Sequence, residues 1–87
     1  MILVEIYSKA DCHLCDVAKD ELKRIQQQHP FELKIISIEQ DDALLQKYKE
    51  RIPVIHINGT FAFQYRVREQ EFINKLHELS NSPLSPR

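Results

Sequence analysis

At Asp11-Cys12-His13-Leu14-Cys15-Asp16 the hydrophobic period of the chain changes from two residues to about 3.6, and the only two cysteines sit at the change. Before it, Ile2, Val4 and Ile6 alternate with Leu3, Glu5 and Tyr7, and the density of β-branched residues favours a strand over Ile2 to Tyr7. After it, Leu14, Ala18, Leu22 and Ile25 recur at helical spacing while Lys19, Asp20, Lys23, Arg24 and Gln27 take the outer face. A helix is therefore expected to run to about Gln28 and to stop before His29-Pro30. A strand that passes directly into a helix commits the chain to α/β architecture, with the cysteines at the helix head.

Leu33 to Ile38 reads as a second strand, and Asp41 or Asp42 through Tyr48 as a short helix capped by the aspartates, with Leu44, Leu45 and Tyr48 facing inward. Arg51-Ile52-Pro53 interrupts the chain. Val54 to Ile57 and Phe61 to Tyr65 flank Asn58-Gly59-Thr60, and Asn-Gly is a strong hairpin signal, so these strands are expected to be antiparallel neighbours. Glu69 to Leu79 closes the pattern as a helix with Phe72, Ile73, Leu76 and Leu79 on its buried stripe. The order β-α-β-α-β-β-α implies a right-handed βαβ unit with a parallel strand pair, to which the hairpin adds an antiparallel edge. The expected result is a four-stranded mixed sheet with helices on both faces. One domain is expected over residues 1–80, followed by a frayed tail over 81–87 that is rich in Pro and Ser.

Charge and hydropathy limit the partners. Twelve Lys and Arg nearly balance thirteen Asp and Glu, so no electrostatic footprint for nucleic acid or an anionic membrane stands out. The apolar run Met1 to Val4 is broken by Glu5, too short for a signal-peptide core or a membrane span. A cytoplasmic protein is expected, with no nucleic acid and no membrane among its partners. In a reducing compartment two cysteines are more often catalytic or metal-binding than a structural staple.

A helix start presents backbone N–H groups without intrahelical partners and the positive end of the macrodipole, so it favours a thiolate over a thiol. The thiolate is the reactive form. Cys12 precedes the helix and Cys15 lies one turn on, which places the second sulfur behind the first and within disulfide reach. Cys12 is thus expected to attack a substrate disulfide, and Cys15 to attack the resulting mixed disulfide. His13 either stabilises the Cys12 thiolate as a partly protonated imidazole or is simply polar surface, since a helix N-terminus disfavours imidazolium. Lys9 either reaches the sulfur three residues on or is a solvated charge, and Asp11 and Asp16 oppose ionisation, with Asp11 a candidate helix cap.

With Tyr7-Ser8-Lys9-Ala10-Asp11-Cys12-His13-Leu14-Cys15, then Ile52-Pro53-Val54, the Asn58-Gly59 hairpin and a closing helix, the chain resembles the glutaredoxins of the thioredoxin-fold superfamily from Met1 to about Leu79. The resemblance implies a thioredoxin fold and a thiol-disulfide oxidoreductase acting in electron transport and cell redox homeostasis. It implies that Cys12 is the attacking thiolate, that Cys15 resolves the mixed disulfide, that Lys9 supports the thiolate, and that Pro53 is a cis-proline facing the motif. From sequence alone a trans-proline at a strand start is the commoner case. A cis bond would set the backbone of Ile52 beside the sulfurs for pairing with an extended substrate, with Tyr7 packed near the motif.

The chain departs from the glutaredoxin pattern in two places. His13 and Leu14 stand where dithiol glutaredoxins usually have proline and tyrosine. The usual paired-glycine turn before the last helix, which holds glutathione, is replaced by Phe63-Gln64-Tyr65-Arg66-Val67-Arg68-Glu69, and Gly59 is the only glycine in the chain. The chain therefore resembles the glutaredoxin-like proteins that keep C-x-x-C and the proline but lack the glycine pair. Weak glutathione binding is expected, with Arg66 and Arg68 either holding an anionic carboxylate or serving as surface charge. No tightly bound cofactor and no metal are expected. The expected partners are a disulfide-containing protein or small thiol, with glutathione as co-substrate or a thioredoxin-reductase type donor. A metal or iron-sulfur binding module using the two thiolates is the competing reading, although a closed site wants four ligands.

Overall fold

The computed structural model describes residues 1–80, and the segment expected to be a frayed tail, 81–87, lies outside the described residues. Its elements run β1 (Leu3–Ser8), α1 (His13–Gln28), β2 (Glu32–Ser37), a 3₁₀ turn (Ile38–Gln40), α2 (Asp42–Tyr48), β3 (Val54–Ile57), β4 (Thr60–Gln64) and α3 (Glu69–Ser80). The four strands form one sheet in the order β2-β1-β3-β4, with β1 and β2 parallel and the other pairs antiparallel. This is the α/β sheet that the element order implies, a parallel βαβ unit extended by a hairpin.

The register explains the two-sided core. Val4 lies opposite Ile57 and Ile6 opposite Ile55, and these four side chains face α1 and α3. There they pack with Ala18, Leu22 and Ile25 of α1 and Phe72 and Leu76 of α3. On the other face Tyr7 lies opposite Val54, and these meet Ile38 and Tyr48 with Leu44 and Leu45 of α2. Phe72, fully buried, meets Phe31 edge-on at 5.4 Å and Phe63 at 6.2 Å, joining α3 to the sheet. Arg24 and Glu69 add an exposed ion pair at 3.0 Å between α1 and α3.

Turn chemistry sets the hairpin. Asn58 has φ 51° and Gly59 φ 83°, so both loop residues occupy the left-handed region that a type I′ turn demands. The Asn58 side chain also accepts from the Leu3 N–H at 2.9 Å, while the Asn58 N–H donates to the Leu3 carbonyl at 2.7 Å. The turn is thereby tied to the start of β1. On β4 the register shifts by one residue beside Ile55 and His56, so Phe61 lies opposite His56 and Phe63 opposite Ile55. The bulge puts Phe63 into the core and leaves Phe61 54% exposed.

Two inward expectations fail for a physical reason. Leu14 is 50% exposed and Leu79 38% exposed, although both fit a helical stripe. In α1 the inward positions are Cys15, Ala18, Leu22 and Ile25, so Leu14, one residue earlier, turns outward. Strands β1, β2 and β4 are each offset by one residue from their expected bounds, within the usual uncertainty of element ends.

Candidate functional site

The loop from Lys9 to Cys12 delivers the cysteines to the end of the sheet. Asp11 takes φ 60°, a conformation that Asp tolerates better than most residues, and the Ala10 N–H donates to Glu39 Oε1 at 3.2 Å. The residue that caps α1 is Cys12 itself, not Asp11: its Sγ accepts from the Cys15 N–H at 3.2 Å, and its carbonyl accepts from the Asp16 N–H at 3.1 Å. An orphan donor of the helix thus points at the sulfur, the arrangement that stabilises negative charge there.

Cys12 and Cys15 are joined as a disulfide with Cα atoms 5.2 Å apart. Cys15 is completely buried, whereas Cys12 is half-buried at the surface of the same cluster. Only one of the two sulfurs is therefore open to a large reactant. Tyr7, Ile52, Val54 and Tyr48 pack around the pair. The Ile52-Pro53 peptide bond is cis, and both residues are buried. The Pro53 carbonyl accepts from the Tyr65 N–H at 2.8 Å, while the N–H and C=O of Ile52 have no backbone partner among the described residues.

The remaining sequence candidates are spread around this core. Lys9 is half-buried just after β1, and His13 is exposed as the first residue of α1; neither side chain has a hydrogen-bond partner among the described residues. Tyr7 lies 5.0 Å from both the Tyr48 and the His56 rings. Burial, followed by the charge of Glu5 and the neighbouring Tyr48, pushes the Tyr7 hydroxyl above its ordinary pKa, so it stays protonated. Burial also lowers the His56 pKa, with Lys47 acting in the same direction and Glu5 opposing. Arg66 and Arg68 are exposed, and Arg68 pairs with Glu71 at 3.4 Å.

A cleft beside the motif brings Arg66 together with residues to which the sequence assigned no functional role. Leu14, Val17 and Ala18 of α1 form a cleft of about 160 Å³ with Glu21, Tyr65, Arg66 and Val67. Tyr65 has φ 70°, and the Arg66 N–H donates to the Gln64 carbonyl at 2.8 Å, closing a γ-turn of the rare, strained kind around Tyr65. The Tyr65 hydroxyl donates to the Glu50 carbonyl at 3.2 Å. A backbone suited to glycine is therefore kept where no glycine is present, on a residue whose ring is substantially exposed. Nothing in the sequence announces it, because the left-handed region disfavours tyrosine.

Among the described residues no three His, Cys, Asp or Glu side chains are grouped so as to hold a metal ion. No helix among them is long and apolar enough to cross a membrane.

The family description Glutaredoxin-like domain (DUF836) matches residues 3–77, and the chain belongs to that family. Solved structures share the fold. A protein from Nitrosomonas europaea, determined in solution by NMR, is 24% identical with a TM-score of 0.75 over 85% of this chain and 89% of that one. An X-ray structure from X. campestris is 26% identical, with a TM-score of 0.70 over 85% of this chain and 95% of that one. Fasciola hepatica thioredoxin is 15% identical, with a TM-score of 0.60 over 88% of this chain and 79% of that one, which extends the likeness to the thioredoxin fold at large.

Proposed function

We propose that this member of the glutaredoxin-like family is a cytoplasmic thiol-disulfide oxidoreductase that reduces protein or small-molecule disulfides through Cys12 and Cys15. The observation that carries the reading is the pairing of a half-buried Cys12 capping α1 with a fully buried Cys15 one turn behind it. In the reduced form the Cys12 thiolate attacks one sulfur of the substrate disulfide and releases the other as a thiolate, which takes a proton from solvent. Cys15 then loses its proton and attacks Cys12 Sγ, releasing the second substrate sulfur as a thiol and leaving the intramolecular disulfide. Two electrons pass from the dithiol to the substrate.

The neighbours have supporting roles in this scheme. The N-terminus of α1 favours the thiolate, and Lys9 adds positive charge when it approaches the sulfur, with His13 the adjoining polar residue at the helix start. The N–H and C=O of Ile52, unpaired among the described residues, can take an extended substrate as an added strand, with Pro53 and Tyr7 shaping the surface around the sulfurs. Regeneration of the dithiol requires an external donor, either glutathione or a reductase of the thioredoxin-reductase type. The paired-glycine turn that holds glutathione in glutaredoxins is replaced here by Gln64-Tyr65-Arg66, with a side chain on the residue at φ 70°, which favours the reductase.

Trapping tests the scheme. Cys12→Ser should abolish disulfide reduction, whereas Cys15→Ser should accumulate a mixed disulfide through Cys12 that is visible by intact mass. Preferential alkylation of Cys15 in the reduced protein near neutral pH would overturn the assignment.

A further inference from the structure

Resting on the oxidoreductase reading, we propose that the outer edge of β4, with Arg66, Arg68 and Lys75 beside it, docks an extended acidic segment that flanks the disulfide of a protein substrate. Strand β4 pairs only with β3, so its far side is a free sheet edge among the described residues. Such an edge pairs with an added strand through main-chain hydrogen bonds, and the side chains along it set the specificity.

Here those side chains are strongly biased. A groove of about 590 Å³ along β4 and α3 is lined by Arg66, Arg68 and Lys75 against the single carboxylate of Glu71, with Phe61 and Tyr65 supplying apolar faces. The whole chain carries a formal net charge of −1, so the excess of cations is local to this groove. Glu71 neutralises only part of it, through the exposed 3.4 Å pair with Arg68. The opposite edge, β2, carries Glu32 and Lys34 and has no such bias.

One end of the groove lies against the loop that carries the cis-proline, because the Tyr65 N–H donates to the Pro53 carbonyl at 2.8 Å. Tyr65 and Arg66 also line both the β4 groove and the cleft beside Leu14 and Val17, in the first turns of α1 after Cys12. A substrate with its disulfide at Cys12 can therefore run past Tyr65 and along β4, at about 3.3 Å per residue, without leaving the surface. The electron transfer is that of the parent reading: the Cys12/Cys15 dithiol becomes a disulfide and the substrate disulfide becomes two thiols.

The test uses pre-reduced protein in single turnover with three peptides that share one internal disulfide and carry a six-residue arm of valine alternating with glutamate, glutamine or lysine. The glutamate arm should be reduced about tenfold faster than the glutamine arm at low ionic strength, and the difference should collapse in about 0.5 M salt. Lys75→Glu should remove most of the glutamate advantage while leaving the glutamine-arm rate unchanged. Equal rates for all three arms would overturn the docking surface and leave the oxidoreductase reading standing. If no peptide is reduced, the parent reading fails, and anisotropy of a labelled, cysteine-free glutamate arm on the oxidised protein decides the surface alone. Salt-sensitive binding weakened by Lys75→Glu supports it; absence of binding, or binding indifferent to that change, overturns it. Concentration-dependent dimerisation abolished by Lys75→Glu would assign the edge to a second copy and overturn it too.

Discussion

The backbone N–H of Tyr65 donates to the carbonyl of Pro53 across 2.8 Å, binding the turn before α3 to the loop that faces the cysteines. That bond, together with the hydrogen bond from the Tyr65 hydroxyl to Glu50, holds a non-glycine residue at φ 70°. The conformation costs energy that the surroundings offset, a pattern typical of residues beside reactive sites.

This relationship predicts an ordering of variants. Tyr65→Ala and Tyr65→Gly both lose the hydroxyl and the ring, but only alanine keeps a Cβ in the left-handed region. The glycine variant should be more stable than the alanine variant by about 1–2 kcal/mol in urea unfolding. Equal stabilities would mean that the turn relaxes once the ring is gone. With the ring removed, the glycine variant should also turn over faster with glutathione as donor, by about fivefold, equivalent to roughly 1 kcal/mol.

His56 gives a pH dependence with a definite sign. Its folded-state pKa lies below the ordinary value of about 6.5 because burial disfavours the imidazolium, with Lys47 adding to the effect and Glu5 opposing it. The unfolded chain therefore binds the proton more readily than the folded one. The stability His56 contributes is fully present above about pH 6.5 and is lost as pH falls toward and through the lowered folded value. His56→Phe retains a ring between Tyr7, Tyr48 and Phe61 and should lack this component. Unfolding midpoints of the two proteins followed from pH 7.5 to about pH 5 should diverge; parallel curves would refute the assignment.

Phe72 is the packing hinge between α3 and the sheet. Truncating this fully buried ring to alanine should cost about 3–5 kcal/mol, a large share of the 5–15 kcal/mol typical of a whole domain. Denaturant titration checks it, and Phe72→Leu should cost clearly less. A loss below about 1 kcal/mol for the alanine variant would show that α3 contributes little to the core.

Much of this architecture is written locally. The switch of hydrophobic period at Cys12, the Asn58-Gly59 turn and the Asp41 cap each depend on neighbours within a few residues, so β1, α1, α2 and the β3–β4 hairpin are legible in the sequence, as is the likeness of Cys12, Cys15 and Pro53 to a thioredoxin-type site. What tertiary structure alone decided depends on contacts between separate elements. Cys15 takes the inward place that helical spacing also offered to Leu14, because the sheet and Ile52 close over that side of α1. Tyr65 adopts a glycine-like backbone because Pro53 and Glu50, twelve and fifteen residues away, hold its two ends. The bulge in β4 turns Phe61 outward and Phe63 inward, and the cationic groove forms only when α3 folds back along that strand. Such pairings are set by register and by packing in three dimensions, which hydrophobic spacing and residue propensity along the chain do not encode.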